Sequence, residues 1–328
     1  MKTSTLFLFL LSFIVGRASS LSSISSKVQK EGTWKPKISN LEERRRLRGI
    51  NHESELIGSL GFHHIEFYCG DAKSMANQFS LALGMPVTGI TGQSTGNDQC
   101  VSYGLTSGDV RLLLTAPYSQ AVSSSSSPSS TEYSEVQFDA PNPLPQFSPE
   151  AAHHFFQKHG LAVRAVGVHV KDAKAAFEAS VANGAQAVME PTLVPTCPGQ
   201  VKKGVVSKGC IMSEVELYGD VVLRFVSFPD GKTKPIPQDI PFLPHLTPVE
   251  GKLSQRESFG IYRIDHAVGN VPNLLEAMAR ISKFTGFHEF AEFTPEEVGT
   301  VESGLNSVVL ASDSEDVLFP LNEPTPGR

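Results

Sequence analysis

A chain of 328 residues with 40% hydrophobic and 19% charged residues has ordinary globular composition, and its length favours two domains. The formal net charge of −6 gives no reason to expect a nucleic acid or an anionic membrane surface as partner. The four cysteines form no C-x-x-C pair, which argues against both a disulfide framework and a zinc knuckle.

The first 20 residues are typical of a secretory signal peptide. Lys2 precedes an apolar run from Leu6 to Val15, and the small residues GRASS follow at 16–20. The run is too short for a stable membrane span, which needs about 20 apolar residues. Residues 21–58 are typical of a transit or linker segment. We therefore expect delivery to a plastid by a bipartite signal, or entry into the secretory pathway and export.

Three later stretches share one pattern of a strand, an amphipathic helix and two or three further strands. Their first strands are predicted over Gly61–Tyr68, Val163–Val170 and Tyr262–Val268. Their helices are predicted over Ala72–Leu83, Ala173–Asn183 and Pro272–Lys283. The remaining strands are predicted at Gln99–Leu105, Val110–Thr115, Ile211–Tyr218, Val221–Phe228, Phe287–Phe293, Ser307–Ala311 and Val317–Leu321. The sequence thus predicts a βαβββ unit that occurs three times.

Low-complexity and proline-rich segments separate these units. The serine tract Ser123–Ser130 and the segment Pro141–Pro149 read as a surface insertion. Prolines are again frequent over Pro229–Ser254. We therefore predict a first domain over 59–229, a proline-rich linker over 230–260, and the first half of a second domain over 261–328.

The motifs inside these units resemble those of the 4-hydroxyphenylpyruvate dioxygenases, particularly of plants and algae. The third unit carries RIDHAVGNV (263–271), FTGFHEFAEF (284–293), ESGLNS (302–307) and PLNEP (320–324) in that order. FHHIEF (62–67) and LYGDVVLR (217–224) match the same family. The resemblance implies an α+β, glyoxalase-like vicinal oxygen chelate fold, with one complete two-unit domain and one unpaired unit of a second domain.

The same resemblance implies a non-haem Fe(II) dioxygenase of tyrosine catabolism, which converts 4-hydroxyphenylpyruvate and O₂ to homogentisate and CO₂. It makes His266 a metal ligand and places Ser307 and Asn322 in the pocket for the aromatic 2-keto acid. Such iron sites use two histidines and one carboxylate. The other His and the Glu belong to a fourth unit of the family, which would begin after Arg328. We therefore expect a C-terminally truncated chain that is inactive by itself.

Aligning the units puts His64 in the place of His266, His169 where a second ligand would fall, and Arg224 where the carboxylate would fall. Because an arginine beside a divalent cation is repelled and does not deprotonate, we expect a structural first domain without a metal. His63 and His64 are then core or interface residues.

Two other functions remain open: a non-catalytic binding module or pseudoenzyme, and a 4-hydroxymandelate synthase, which uses the same substrate and metal. The family commonly forms dimers or tetramers, so we expect a homo-oligomer. An unpaired third unit would expose apolar strand residues and pair with another chain; these residues are Val308, Val309, Leu318 and Leu321.

Overall fold

The computed structural model describes residues 10–15, 54–118, 142–196, 209–229, 241–250, 257–293 and 305–324, with the backbone alone at 10–15 and 291–293. The serine tract, Cys197, most of the signal and transit segments and part of the proline-rich linker lie outside the described residues. No helix in the described ranges is long and apolar enough to cross a membrane.

The described chain contains four α-helices and fourteen strands, which we number in chain order. The helices are α1 (Ala72–Leu83), α2 (Pro149–His159), α3 (Ala173–Ala182) and α4 (Leu274–Thr285). The first strands are β1 (Leu10–Val15), β2 (Ser59–Tyr68), β3 (Val87–Thr91), β4 (Cys100–Ser107), β5 (Val110–Pro117), β6 (Ala162–Val170) and β7 (Ala187–Val194). The others are β8 (Cys210–Tyr218), β9 (Val221–Ser227), β10 (Thr247–Pro248), β11 (Ile261–Asn270), β12 (His288–Phe293), β13 (Leu305–Ala311) and β14 (Leu318–Pro324).

The predicted α+β fold of repeated βαβββ units is confirmed. Units one and two form one sheet in the order β10-β3-β4-β5-β2-β6-β9-β8-β7, with the first strands of the two units antiparallel at its centre. Unit three repeats the order of unit one as β11-β14-β13-β12. In each unit the first strand lies parallel to the last. The segment β1 pairs antiparallel with β11, which is the place that β6 takes beside β2.

Helices begin and end where the sequence provides caps. The Asp71 carboxylate accepts a hydrogen bond from the Ser74 amide at the start of α1, and Gly84 ends that helix in the left-handed region, which favours glycine. The helix α4 begins in the same way at Asn273 and ends at Gly286. Strands β1, β3, β7 and β10 and helix α2 were not predicted. Strand β1 lies in the expected signal peptide, β3 and β10 are short, and β7 and α2 contain proline and several polar residues.

The two faces of the nine-stranded sheet have different coverings. One face packs on α1, α3 and unit three, as the membership of the main apolar core shows. The other, which we call the inner face, is covered by α2 and by the segment 241–250. Within that segment Phe242, Leu243 and Leu246 are buried, and β10 pairs with β3. Part of the predicted linker is therefore an integral layer of the first domain.

Unit three packs against the outside of the first domain. The Asp109 amide donates to the Tyr262 carbonyl at 2.6 Å, and the rings of Phe62 and Phe319 lie 5.9 Å apart edge-to-face. Gly269 passes under the Tyr218 ring, where a Cβ would meet the ring at 2.5 Å.

The expectation that apolar strand residues of unit three are exposed is wrong for most of them. Val308, Val309 and Leu321 are buried and Leu318 is half-buried. Val308 and Leu321 belong to the main core, because they lie on the sheet face that packs on α4 and on the first domain.

Candidate functional site

His266 lies on β11, the first strand of unit three, on the face opposite the buried Ala267. Its Nδ1 contacts Asp265 Oδ2 at 2.8 Å, and the side chain is 27% exposed. A carboxylate on one ring nitrogen orients the other nitrogen for a ligand in many metal sites. Asp265 in turn is 3.3 Å from the Arg263 guanidinium. Nε2 of His266 is then the ring nitrogen that would bind a metal.

Ser307 and Asn322 are direct cross-strand partners on β13 and β14, so their side chains leave the sheet on one face. Asn322 also lies beside Asn270 of β11, four residues along the strand from His266. At about 3.3 Å per residue that separation is roughly 13 Å. The three predicted residues therefore share one face, with Ser307 and Asn322 adjacent and His266 further along the neighbouring strand. Their roles stay predictions.

His266 does not complete a metal site with its described neighbours. Throughout the described ranges, no three histidine, cysteine, aspartate or glutamate side chains lie close enough together to hold a metal ion. A facial site for Fe(II) requires two histidines and a carboxylate. His266 thus fits as one ligand of such a site, and no catalytic step can be derived from the described residues alone.

A second cluster of polar side chains lies on the inner face of the first domain, and the sequence indicated only part of it. Register aligns Glu214 with Arg224, Arg224 with Gly167, and Gly167 with His64, across strands β8, β9, β6 and β2. A β-bulge at His63 turns two consecutive histidines towards this face, and their ring centroids lie 4.9 Å apart. Both are buried, which confirms them as core residues.

Register places a glycine of the second unit beside His64. Gly167, not His169, lies directly between His64 and Arg224. A Cβ at Gly167 would meet the His64 ring at 2.7 Å, so this position must be glycine for the ring to lie over it.

Arg224 is the centre of this inner-face cluster. Its Nε donates to Glu214 Oε1 at 2.7 Å, its Nη2 donates to Glu66 Oε2 at 2.7 Å, and its Nη1 lies 3.0 Å from His64 Nε2. Thr115 donates a further hydrogen bond to Glu66 Oε1 at 2.8 Å. We call Arg224, His64, Glu66 and Glu214 the Arg224 cluster. An acidic residue inside an apolar strand, as in IEF (65–67) and MSEVELY (212–218), is a sequence signal that could have indicated the two glutamates.

The hydrogen bonds determine the protonation of the two histidines. Arg224 can only donate, so His64 Nε2 must accept and the proton of His64 lies on Nδ1. That proton points to His63 Nδ1 at 2.7 Å, which makes both imidazoles neutral. Burial, followed by the nearby charge of His64 for His63 and of Arg224 for His64, lowers both pKa values well below 6.5.

Burial and the Arg224 guanidinium act on the pKa of Glu66 in opposite senses. Burial raises the pKa of Glu66, and the Arg224 guanidinium and the Thr115 hydroxyl offset part of that rise. Burial would lower the pKa of Arg224, but Glu66 and Glu214 hold it above its usual value. The guanidinium is therefore a permanent cation in this layer.

The chain is similar in sequence to proteins named 4-hydroxyphenylpyruvate dioxygenase. It is 46% identical to the one from Hordeum vulgare over 282 residues, which is 86% of this chain and 57% of that protein. It is 46% identical to the one from Arabidopsis thaliana over 277 residues, and 31% identical to the one from Neurospora crassa over 281 residues. The chain spans 57% of the length of the first two relatives. No family model matches it.

Among solved structures, the chain is similar to a mutant of 4-hydroxymandelate synthase from Streptomyces coelicolor. The TM-score is 0.57 at 16% sequence identity, over 83% of this chain and 66% of that one. At this identity the similarity establishes the fold alone. The vicinal oxygen chelate architecture expected from the repeated units is thus confirmed.

Proposed function

The chain is homologous to the 4-hydroxyphenylpyruvate dioxygenases, and from this premise we propose that its protein converts 4-hydroxyphenylpyruvate and O₂ to homogentisate and CO₂. The observation that carries the proposal is the 46% identity to the plant proteins over 86% of the chain. The placement of His266, Ser307 and Asn322 on one face of the third unit supports it. Bound Fe(II) would supply the oxygen chemistry, with His266 as one of its ligands.

The three residues would have different tasks in that reaction. His266 would hold the metal through Nε2, while Asp265 orients its ring through Nδ1. Ser307 and Asn322 would bind the polar groups of the keto acid, because adjacent hydroxyl and amide groups on a strand pair can donate to its oxygens. Ser307 is nearly buried, which would keep bulk water from that contact.

The first test is the transcript beyond the codon for Arg328. The proposal expects the reading frame to continue into a fourth βαβββ unit with a histidine on its first strand and a glutamate on its last. The encoded protein should then release homogentisate and CO₂ in equal amounts when loaded with Fe(II). A stop codon together with no turnover would contradict the proposal and favour a non-catalytic binding role. Release of 4-hydroxymandelate instead of homogentisate would favour the alternative synthase.

Variants of the active protein would test the residue roles. His266→Ala should lose iron and turnover, whereas Ser307→Ala and Asn322→Ala should keep iron and raise KM more than they lower kcat. A matched control is His288→Ala, which removes another histidine of the same unit, on β12 at the far edge of its sheet from β11. Iron retained by His266→Ala would contradict its assignment.

We further propose that residues 1–58 direct the protein to a plastid or into the secretory pathway, and that the protein forms a homo-oligomer. A fluorescent reporter fused to residues 1–58 and expressed in algal or plant cells would reveal the destination; diffuse cytosolic fluorescence would contradict the first proposal. Light scattering of the purified protein would give its mass, and a monomer at all concentrations would contradict the second.

A further inference from the structure

Three metal-type donor atoms of the Arg224 cluster are directed at one cationic group. His64 Nε2, Glu66 Oε2 and Glu214 Oε1 each lie 2.7–3.0 Å from a nitrogen of the Arg224 guanidinium. One imidazole nitrogen and two carboxylate oxygens are donors that divalent transition metals accept. The guanidinium thus lies among three atoms of the types that bind metals.

The balance of charge in this layer also favours a doubly charged cation. Glu66 and Glu214 are both buried, with side chains 0% and 10% exposed, and Arg224 supplies one positive charge for these two carboxyl groups. A buried carboxylate is costly unless it is paired or coordinates a metal. A divalent cation would balance both carboxylates, which one guanidinium does not do.

From this geometry we propose that the guanidinium of Arg224 takes the place of a divalent metal ion, and that His64, Glu66 and Glu214 form a latent metal site. The site binds a divalent cation of the Zn²⁺, Co²⁺ or Mn²⁺ class once the guanidinium is removed. In the native chain the fixed side-chain cation supplies part of that positive charge and makes the first domain independent of metal supply.

The surroundings provide access for such an ion, and removal of the guanidinium leaves room for it. Gly167 contributes no side chain between His64 and Arg224, and the His64 ring lies directly on its backbone. A cavity of about 250 Å³, partly open to solvent, reaches Glu214 and Arg224 from between α2 and the sheet. A metal site needs such an entry path as well as its ligands.

In the native structure the three donor atoms surround the planar guanidinium group and do not converge on one point. For this reason no three side chains in the described ranges are close enough together to hold a metal ion. Coordination requires donor distances of about 2.0–2.2 Å, and the guanidinium nitrogens lie about 1.3 Å from the centre of the group, so each donor must move inward by roughly 1.5–2 Å. The two glutamate side chains have the free torsions for this movement, whereas His64 is held by His63.

The test is Arg224→Ala in the purified chain, refolded with and without Co²⁺. We expect the variant to retain roughly one cobalt per chain through desalting and to show the visible absorption of low-coordinate Co²⁺. Its melting temperature should rise with added Co²⁺, because an ion that binds only the folded state stabilises it. The unsubstituted chain should retain no cobalt at this site and show no such rise.

Two matched variants separate this site from adventitious binding. Arg224→Lys keeps a cation in place and should bind no cobalt. The triple variant Arg224→Ala, Glu66→Gln, Glu214→Gln keeps the cavity but removes the carboxylates, and it should also bind none. His266 is present in all of them, so cobalt held by the third unit would appear equally in every sample.

Two results would overturn the proposal. One is a folded Arg224→Ala variant without cobalt affinity above that of Arg224→Lys. The other is an Arg224→Ala variant that does not fold and is not rescued by Co²⁺, Zn²⁺ or Mn²⁺, since an ion bound by the three donors must stabilise the folded state.

Discussion

Replacing Phe242 by alanine should destabilise the first domain strongly, although the sequence assigns this residue to a linker. The side chain is 2% exposed, and its ring centroid lies 5.7 Å from that of His64 and 6.2 Å from that of His63. Gly104 leaves room for it, since a Cβ there would lie 3.0 Å from the Phe242 ring. The ring therefore fills the inner face beside the Arg224 cluster.

The expected loss follows from the area that the ring buries. A phenylalanine buries about 150–250 Å², which at about 25 cal/mol per Å² is worth about 4–6 kcal/mol for the whole residue. Alanine retains part of this area but leaves a cavity, so we expect Phe242→Ala to lower the free energy of unfolding by about 3–5 kcal/mol.

Urea denaturation followed by far-ultraviolet circular dichroism would measure this loss. Leu275→Ala is a matched control, because Leu275 is 70% exposed on α4 and its truncation should change the unfolding free energy by about 0.5 kcal/mol or less. A loss below about 1 kcal/mol for Phe242→Ala would refute the placement of 241–250 as a layer of the domain, since truncating an exposed linker residue leaves no cavity and changes the unfolding free energy little.

Three further predictions concern buried residues of the first domain. Burial lowers the pKa values of His63 and His64 below 6.5, so below that pH these two histidines bind protons in the unfolded chain more readily than in the folded chain. The contribution of the two neutral histidines to the free energy of unfolding is therefore present above pH 6.5, and it should fall by up to about 1.4 kcal/mol per pH unit for each histidine as the pH drops. Glu66 partly offsets this loss, because its raised pKa acts in the opposite sense. Urea midpoints that do not change between pH 7.5 and 5 would contradict this prediction. Gly167→Ala should cost about 1–3 kcal/mol by overpacking against the His64 ring, and an unchanged urea midpoint would exclude the close approach of the ring to this glycine. Burial raises the pKa of the Cys69, Cys100 and Cys210 thiols to about 12, 11 and 12. At pH 8 a thiol reagent should therefore label no more than one of the four cysteines until the chain unfolds.

The repeated units could be predicted from the sequence because each begins with an alternating strand and an amphipathic helix. The strands β2, β6 and β11 and the helices α1, α3 and α4 all lie close to their predicted bounds. The helix α2 and the packing of Phe242 could not be predicted, because they depend on distant partners: α2 covers Tyr68 through Phe155, 87 residues along the chain.

The candidate site, like the fold, could be predicted only in part from the sequence. His266, Ser307 and Asn322 were predicted from motifs, and the structure adds their common face. It also places His266 roughly 13 Å along β11 from Asn270, the neighbour of Asn322. Glu66 and Glu214 were missed, since nothing local shows that residues 158 and 10 positions from Arg224 will meet its guanidinium. Strand register alone brings them together.

Equivalent histidines of the first and third units therefore have different hydrogen-bond partners. On β2, His64 accepts a hydrogen bond from a permanent cation and is locked by a second buried histidine. On β11, His266 is partly exposed, is oriented by an acidic neighbour, and has no arginine among its described contacts. A histidine paired with arginine cannot also bind a metal through the same nitrogen, whereas a histidine backed by a carboxylate is a stronger metal ligand. The partner of each histidine, rather than the histidine itself, thus decides which unit is suited to a metal and which to structure.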